Sequence, residues 1–331
     1  MGDPSGIGPE IVAKALSRPV AAGKADFVII GNRWVFDKIR NSCRSVSAPA
    51  AGRQQAGICG RQARCRIRNC RFVDLDNVAR RNFSFGKVRA EYGRASIEYL
   101  DKALELIRSR DIDCLVTCPI SKEAINLAGF NYSGHTEYLS ARTGVNDSLM
   151  MLLNRELKIS LLTRHIPITK VASCLNENRI VKDILLTCES LQRLFLIKKP
   201  RIVVCGLNPH ASDNGVIGNE ENRIIKPALE KLRTLRKGRI DGPLSADAAI
   251  FKARQKEYDC VVAMYHDQAL IPLKLSGAGK GVNMTLGLPF IRTSVLHGTA
   301  FDISGRNLAD CASLIESIRL AVKCTLNQRK V

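Results

Sequence analysis

Short apolar runs recur along the chain, and amphipathic stretches separate them. The clearest runs are 27–30 followed by Gly31, 114–118 (CLVTC), 157–163 (LKISLLT), 202–206 (IVVCG) and 260–264 (CVVAM). Each is short and rich in β-branched residues, the pattern of strands covered on both faces. Between them, 90–108 repeats apolar residues at helical spacing and carries charges on its other side. Ser121 is placed to cap a helix that ends at Gly129. The segments 179–195 and 222–235 predict further helices. Strands alternating with helices of this length predict an α/β fold with a mainly parallel sheet. The stretch 42–70 lacks apolar periodicity and is expected to be a loop or irregular excursion. Residues 2–10 (GDPSGIGPE) form a turn feeding a helix, of the kind that normally follows a strand. The expectation is that the chain starts late and lacks its first strand.

Composition narrows the class. Apolar residues make up 45% of the 331, enough for a sizeable core. No apolar run reaches the roughly eighteen residues of a membrane span, and the N-terminus has neither the basic nor the apolar region of a secretory signal. A cytoplasmic protein with no membrane association is expected. Of twelve cysteines, Cys114, Cys118, Cys205 and Cys260 lie in the strand-like runs and are expected to be small buried hydrophobes. Cys43, Cys59, Cys65 and Cys70 lie closer together but lack the C-x2-C pairs of a zinc ribbon, so free thiols are expected. The net charge is +20, yet the basic residues are spread and only 5% of residues are aromatic. Nucleic-acid binding has charge as its sole support and is not expected. A basic surface also suits an anionic substrate.

Parallel α/β sheets bind ligands at the carboxyl ends of their strands. Three of the five histidines follow a predicted strand within four residues: His165, His210 (in Asn208-Pro209-His210) and His266 (in Tyr265-His266-Asp267-Gln268). Imidazole suits divalent first-row metals, and three such ligands leave an open position for substrate. The alternative is three separately satisfied structural histidines, since spacing does not show that they meet. Lys274, Asn283 and Arg292 follow the last of these strands, and Lys and Arg are natural partners for phosphate or carboxylate, or else solvated charge. Residues 277–281 (GAGKG) do not match the P-loop, and no G-x-G-x-x-G follows a strand.

Seven stretches then carry a resemblance: GDPSGIGPE at 2–10, PISKEAINLAG at 119–129, GHTEYL at 134–139, GLNPHASDNGVIGNEE at 206–221, GPLSAD at 242–247, MYHDQALIPLK at 264–274 and GVNMTLGLPFIRTSVLHGTAFDISG at 281–305. With them the chain resembles the 4-hydroxythreonine-4-phosphate dehydrogenases of pyridoxal phosphate synthesis, while 40–90 matches poorly. The resemblance implies an α/β/α-layered fold like that of isocitrate and isopropylmalate dehydrogenases. It implies two subdomains with the active site in the cleft between them: 1–134 with 275–331 on the cofactor side, and 135–274 on the metal and dimer side. It implies one divalent metal (Zn, Mg or Co) on His165, His210 and His266, at the interface of a homodimer with ligands from both subunits. It implies substrate contacts from His135, Thr136, Lys274, Asn283 and Arg292. Asp247, Asp267 and Lys274 are the candidates for proton transfer. His297, Gly298, Thr299, Ala300 and Asp302 would border NAD, or NADP. The implied reaction oxidises 4-phosphohydroxy-L-threonine to a 2-amino-3-oxo-4-phosphooxybutanoate, which decarboxylates to 3-amino-2-oxopropyl phosphate. A paralogous dehydrogenase of threonate or erythronate 4-phosphate is the alternative.

Overall fold

The computed structural model describes residues 1–18, 25–45, 70–277 and 279–330, without the side chains of 43–45. Cys59, Cys65, the side chain of Cys43 and most of the excursion expected at 42–70 lie outside the described residues, as does Ala278 in the glycine-rich segment. The chain divides into two compact units, 1–139 with 297–322, and 140–296 with 323–331.

In the first unit, β1 (Phe27–Gly31) pairs parallel with β2 (Cys70–Asp74), and β3 is Cys114–Thr117. Helices Gly8–Leu16 and Arg33–Ser45 pack Ala13, Leu16, Phe36 and Ile39 against Ile29 of β1. Helix Ala90–Arg108 buries Ile97, Leu100 and Leu104, three or four residues apart, as its periodicity predicts. Ser121 Oγ accepts from Ala124 N at 3.1 Å and caps helix Lys122–Leu127. The opening residues are seated against strand ends. The Met1 amine donates to Ile30 O at 2.8 Å, and Asp3 N donates to Pro119 O at 2.9 Å.

The second unit holds β4 (Leu149–Leu153), β5 (Lys158–Leu161), β6 (Arg201–Cys205), β7 (Arg239–Leu244), β8 (Cys260–Ala263), β9 (Val282–Leu286) and β10 (Ile291–Val295) in the order β10-β9-β4-β5-β8-β6-β7. The pairs β5·β8, β8·β6 and β6·β7 are parallel, and the histidine-bearing loops follow β5, β6 and β8. The pairs β4·β5, β4·β9 and β9·β10 are antiparallel. Counting β1·β2, which forms a separate two-stranded sheet, four of these seven pairs are parallel. The antiparallel pairs come from short connections. Asn154 Oδ1 accepts from Glu156 N and Leu157 N, both at 2.8 Å, and turns β4 into β5. Gly287, at φ 89°, opens the turn from β9 to β10. The β9 strand of this hairpin pairs with β4, and residues 275–296 fall in the second unit, whereas the resemblance implied that they belong with the first. Leu152, Ile159, Val203 and Val261 form the core under helices Ala246–Arg254 and His266–Gly277. Among the described residues, no helix is long and apolar enough to cross a membrane, and the described cysteines are free thiols, with Cys118, Cys205 and Cys260 buried.

Candidate active site

The loops after β5 and β8 remain laced together beyond the sheet. Leu162 N donates to Ala263 O at 3.0 Å, and Thr163 reaches Met264 O twice, from N at 3.2 Å and from Oγ1 at 2.6 Å. This brings His165, two residues on, to His266, the first residue of helix His266–Gly277. Their rings lie 5.7 Å apart, centroid to centroid, tilted by 44°. Asp267 Oδ1 is 2.6 Å from His266 Nδ1. A carboxylate there favours the proton on Nδ1 and leaves the Nε2 lone pair open to a metal, the usual support of a metal-ligating histidine. On this chemistry the pair fits a divalent ion.

His210 is positioned differently. After β6, the fully buried Glu221 carboxylate accepts from Leu207 N (2.8 Å), Asn208 N (2.7 Å) and Asn208 Nδ2 (2.9 Å). Beyond this clamp, His210, Ala211, Ser212, Asp213 and Asn214 run in succession at φ between 44° and 70°. A left-handed residue with a side chain costs about 1–2 kcal/mol, so such a run persists only where its surroundings hold it. Asp247, in the first turn of helix Ala246–Arg254, faces this turn. The Ser245 hydroxyl holds its carboxyl below the usual range, helped by Ala248 N and by His210. Glu221 closes the matched stretch 206–221 and Thr163 stands two residues before His165, but neither was among the predicted site residues. Among the described residues, no three His, Cys, Asp or Glu side chains group closely enough to hold a metal ion. The structure thus joins His165 to His266 and His210 to Asp247, but does not gather the three histidines.

On the β9–β10 hairpin, Arg292 lies opposite Thr285 and Ser294 opposite Asn283, so all four share one face. Arg292 is 1% exposed and donates to Thr285 Oγ1 at 3.0 Å. Asn283 Oδ1 is buried without a hydrogen-bond partner. Lys274 is exposed on the last turn of helix His266–Gly277, whose end Asn154 Nδ2 pins through Leu273 O (3.0 Å) and Ser276 Oγ (2.9 Å).

The remaining site candidates belong to the first unit. His135 and the buried Thr136 open helix His135–Thr143. The loop bearing His297, Gly298, Thr299, Ala300 and Asp302 is tied to the N-terminal turn. Ile7 N donates to Thr299 O at 3.0 Å, and Ser304 Oγ donates to Ser5 O at 2.7 Å. A Cβ on Gly6 would stand 3.2 Å from Thr299, a tight contact. Ala300 is left-handed at φ 44°, and His297 Nε2 is buried without a partner.

Such a fold, with imidazoles and acids at its strand ends and the buried Arg292 on its hairpin, fits the class of α/β enzymes. The family described as pyridoxal phosphate biosynthetic protein PdxA matches residues 23–321. The chain belongs to this family and is an oxidoreductase. It is 41% identical over 324 residues to the 4-hydroxythreonine-4-phosphate dehydrogenase of Sulfurihydrogenibium sp. (strain YO3AOP1), covering 97% of this chain and 96% of the relative. It is 39% identical over 329 residues to the D-threonate 4-phosphate dehydrogenase of Cupriavidus necator, covering 96% and 94%. The crystal structure of the 4-hydroxythreonine-4-phosphate dehydrogenase of Klebsiella pneumoniae superposes with a TM-score of 0.82 at 36% identity, over 98% of this chain and 96% of that one.

Proposed function

We propose that the chain oxidises the secondary alcohol of 4-phosphohydroxy-L-threonine, passing hydride to NAD (NADP is the alternative). The β-keto acid formed then loses carbon dioxide to leave 3-amino-2-oxopropyl phosphate. The observation that carries this reading is the Asp267-supported pair of His266 and His165 at parallel strand ends, in a chain of this family.

His165, His210 and His266 would hold one divalent ion (Zn, Mg or Co), drawn from both subunits of a homodimer. When bound, that ion supplies Lewis acidity for the hydroxyl and then for the new carbonyl. Asp267 orients His266 through the 2.6 Å bond. Asp247 lies near His210, with its carboxyl held below the usual range chiefly by the Ser245 hydroxyl. Asp247, Asp267 and Lys274 are the candidates for proton transfer. The Arg292 guanidinium keeps its charge when buried and is suited to the phosphate, together with His135. Asn283 Oδ1 is a ready acceptor for a substrate hydrogen bond, and Thr136 completes the substrate contacts. His297, Gly298, Thr299, Ala300 and Asp302 border the NAD adenosine. His210→Ala should abolish metal-dependent NADH formation, and retained activity with an unchanged metal requirement would refute the assignment.

The Cupriavidus necator relative supports a second reading, D-threonate 4-phosphate as substrate. The same phosphate and metal contacts serve both. NADH absorbance across 4-phosphohydroxy-L-threonine, D-threonate 4-phosphate and D-erythronate 4-phosphate separates them by kcat/KM.

A further inference from the structure

Gln268 stands at the third residue of helix His266–Gly277, and both ends of its amide are used. Its Oε1 accepts from Met264 N at 2.8 Å, closing the turn that presents His266. Its Nε2 donates to Gly206 O at 2.8 Å, reaching sideways to the segment that leads to His210. Gly206 is held from its other side too, since its N donates to Leu244 O at 2.7 Å. No side chain fits there, because a Cβ would come within 2.8 Å of Ala211 Cα. Gly206 also directly precedes Leu207 and Asn208, the two amides clamped by Glu221. One side chain therefore sets the height of the His266 turn against the origin of the His210 turn.

We propose that Gln268 is a positioning residue which ties the His210-bearing and His266-bearing loops to one another and so fixes the geometry of the metal ligands. The proposal rests on the metal reading given above. Only an amide serves here. A carboxylate keeps the acceptor for Met264 N but sets an oxygen against Gly206 O, and an apolar side chain loses both bonds. Groups that orient metal ligands typically govern metal affinity by 10–100-fold.

The test is a titration of the full-length protein with Co2+ alone, followed by its visible absorption, alongside thermal unfolding and steady-state kinetics over a range of Co2+ concentrations. Gln268→Met should weaken Co2+ binding about 10–100-fold. Its half-saturating Co2+ concentration should rise by the same factor, while kcat at saturating Co2+ recovers to within a few-fold. Should Gln268→Met fail to fold, Gln268→Glu keeps the shape and the Met264 bond and breaks only the link to Gly206, with the same loss expected. A folded variant that binds Co2+ as tightly as the wild type, even with a lowered Tm, overturns the positioning role and leaves the metal reading standing. A wild-type protein that binds no Co2+ overturns both.

Discussion

Asp3 is fully buried in the N-terminal turn, with Oδ1 accepting from Ser5 N at 2.8 Å and Oδ2 lacking a partner. Burial pushes its pKa up to about 6, against the Ser5 and Gly6 amides, which pull it down. The folded chain therefore binds this proton more tightly than the unfolded chain between about pH 4 and pH 6. The contribution of Asp3 to stability falls as pH rises through that window, and above it a buried charge is carried at a cost. Asp3→Asn keeps the acceptor for Ser5 N and removes that charge. It should raise stability at pH 8 by about 2 kcal/mol and change it little at pH 4. Urea unfolding at the two pH values checks this, and an equal effect at both would contradict the origin assigned to it. Residue identity made much of the site legible: His165, His210 and His266 stood out as histidines just past strands. The supports of that site were not legible. Glu221 and Gln268 lie inside the matched stretches 206–221 and 264–274, but residue type alone does not separate a buried clamp from an ordinary polar residue.

At the scale of elements, helices were read well where one face is apolar, as in Ala90–Arg108. Strands β4, β9 and β10 escaped notice. The LMMLL of β4 is buried throughout and has no alternation to distinguish it from a buried helical turn. Gly93 shows how packing overrides local preference. Alanine is the better helix former by about 1 kcal/mol, but a Cβ at Gly93 would lie 2.0 Å from Ala124 O of helix Lys122–Leu127. The obstacle is backbone, which cannot swing aside as a side chain can. Gly93→Ala should therefore destabilise the protein, by about 1–3 kcal/mol after the propensity gain. A shift of the urea midpoint to higher denaturant would show that the two helices separate freely.

For the whole molecule, the decisive matter is how the three histidines are shared. One chain brings His165 to His266 and His210 to Asp247, with no group of three among the described residues. If each site draws on two subunits, then for at least one pairing of the single variants His165→Ala, His210→Ala and His266→Ala, dissociating and reassociating the mixture should restore metal-dependent activity. Such a hybrid carries one site with all its ligands intact. Failure of every pairing, with each variant folded and dimeric, would place the ligands within a single chain.

The sequence alone determined the α/β class, the helices of period 3.6, the short parallel strands and the residue types at their ends, because side-chain chemistry and periodicity act locally. It could not determine the antiparallel half of the second unit's sheet, which depends on which strand lies beside which. Nor could it show that Asp267 meets His266, that Glu221 clamps Leu207 and Asn208, or that Gln268 spans two loops. Those are contacts between residues from one to 62 positions apart, and only the tertiary structure, by fixing distance and direction together, decides them.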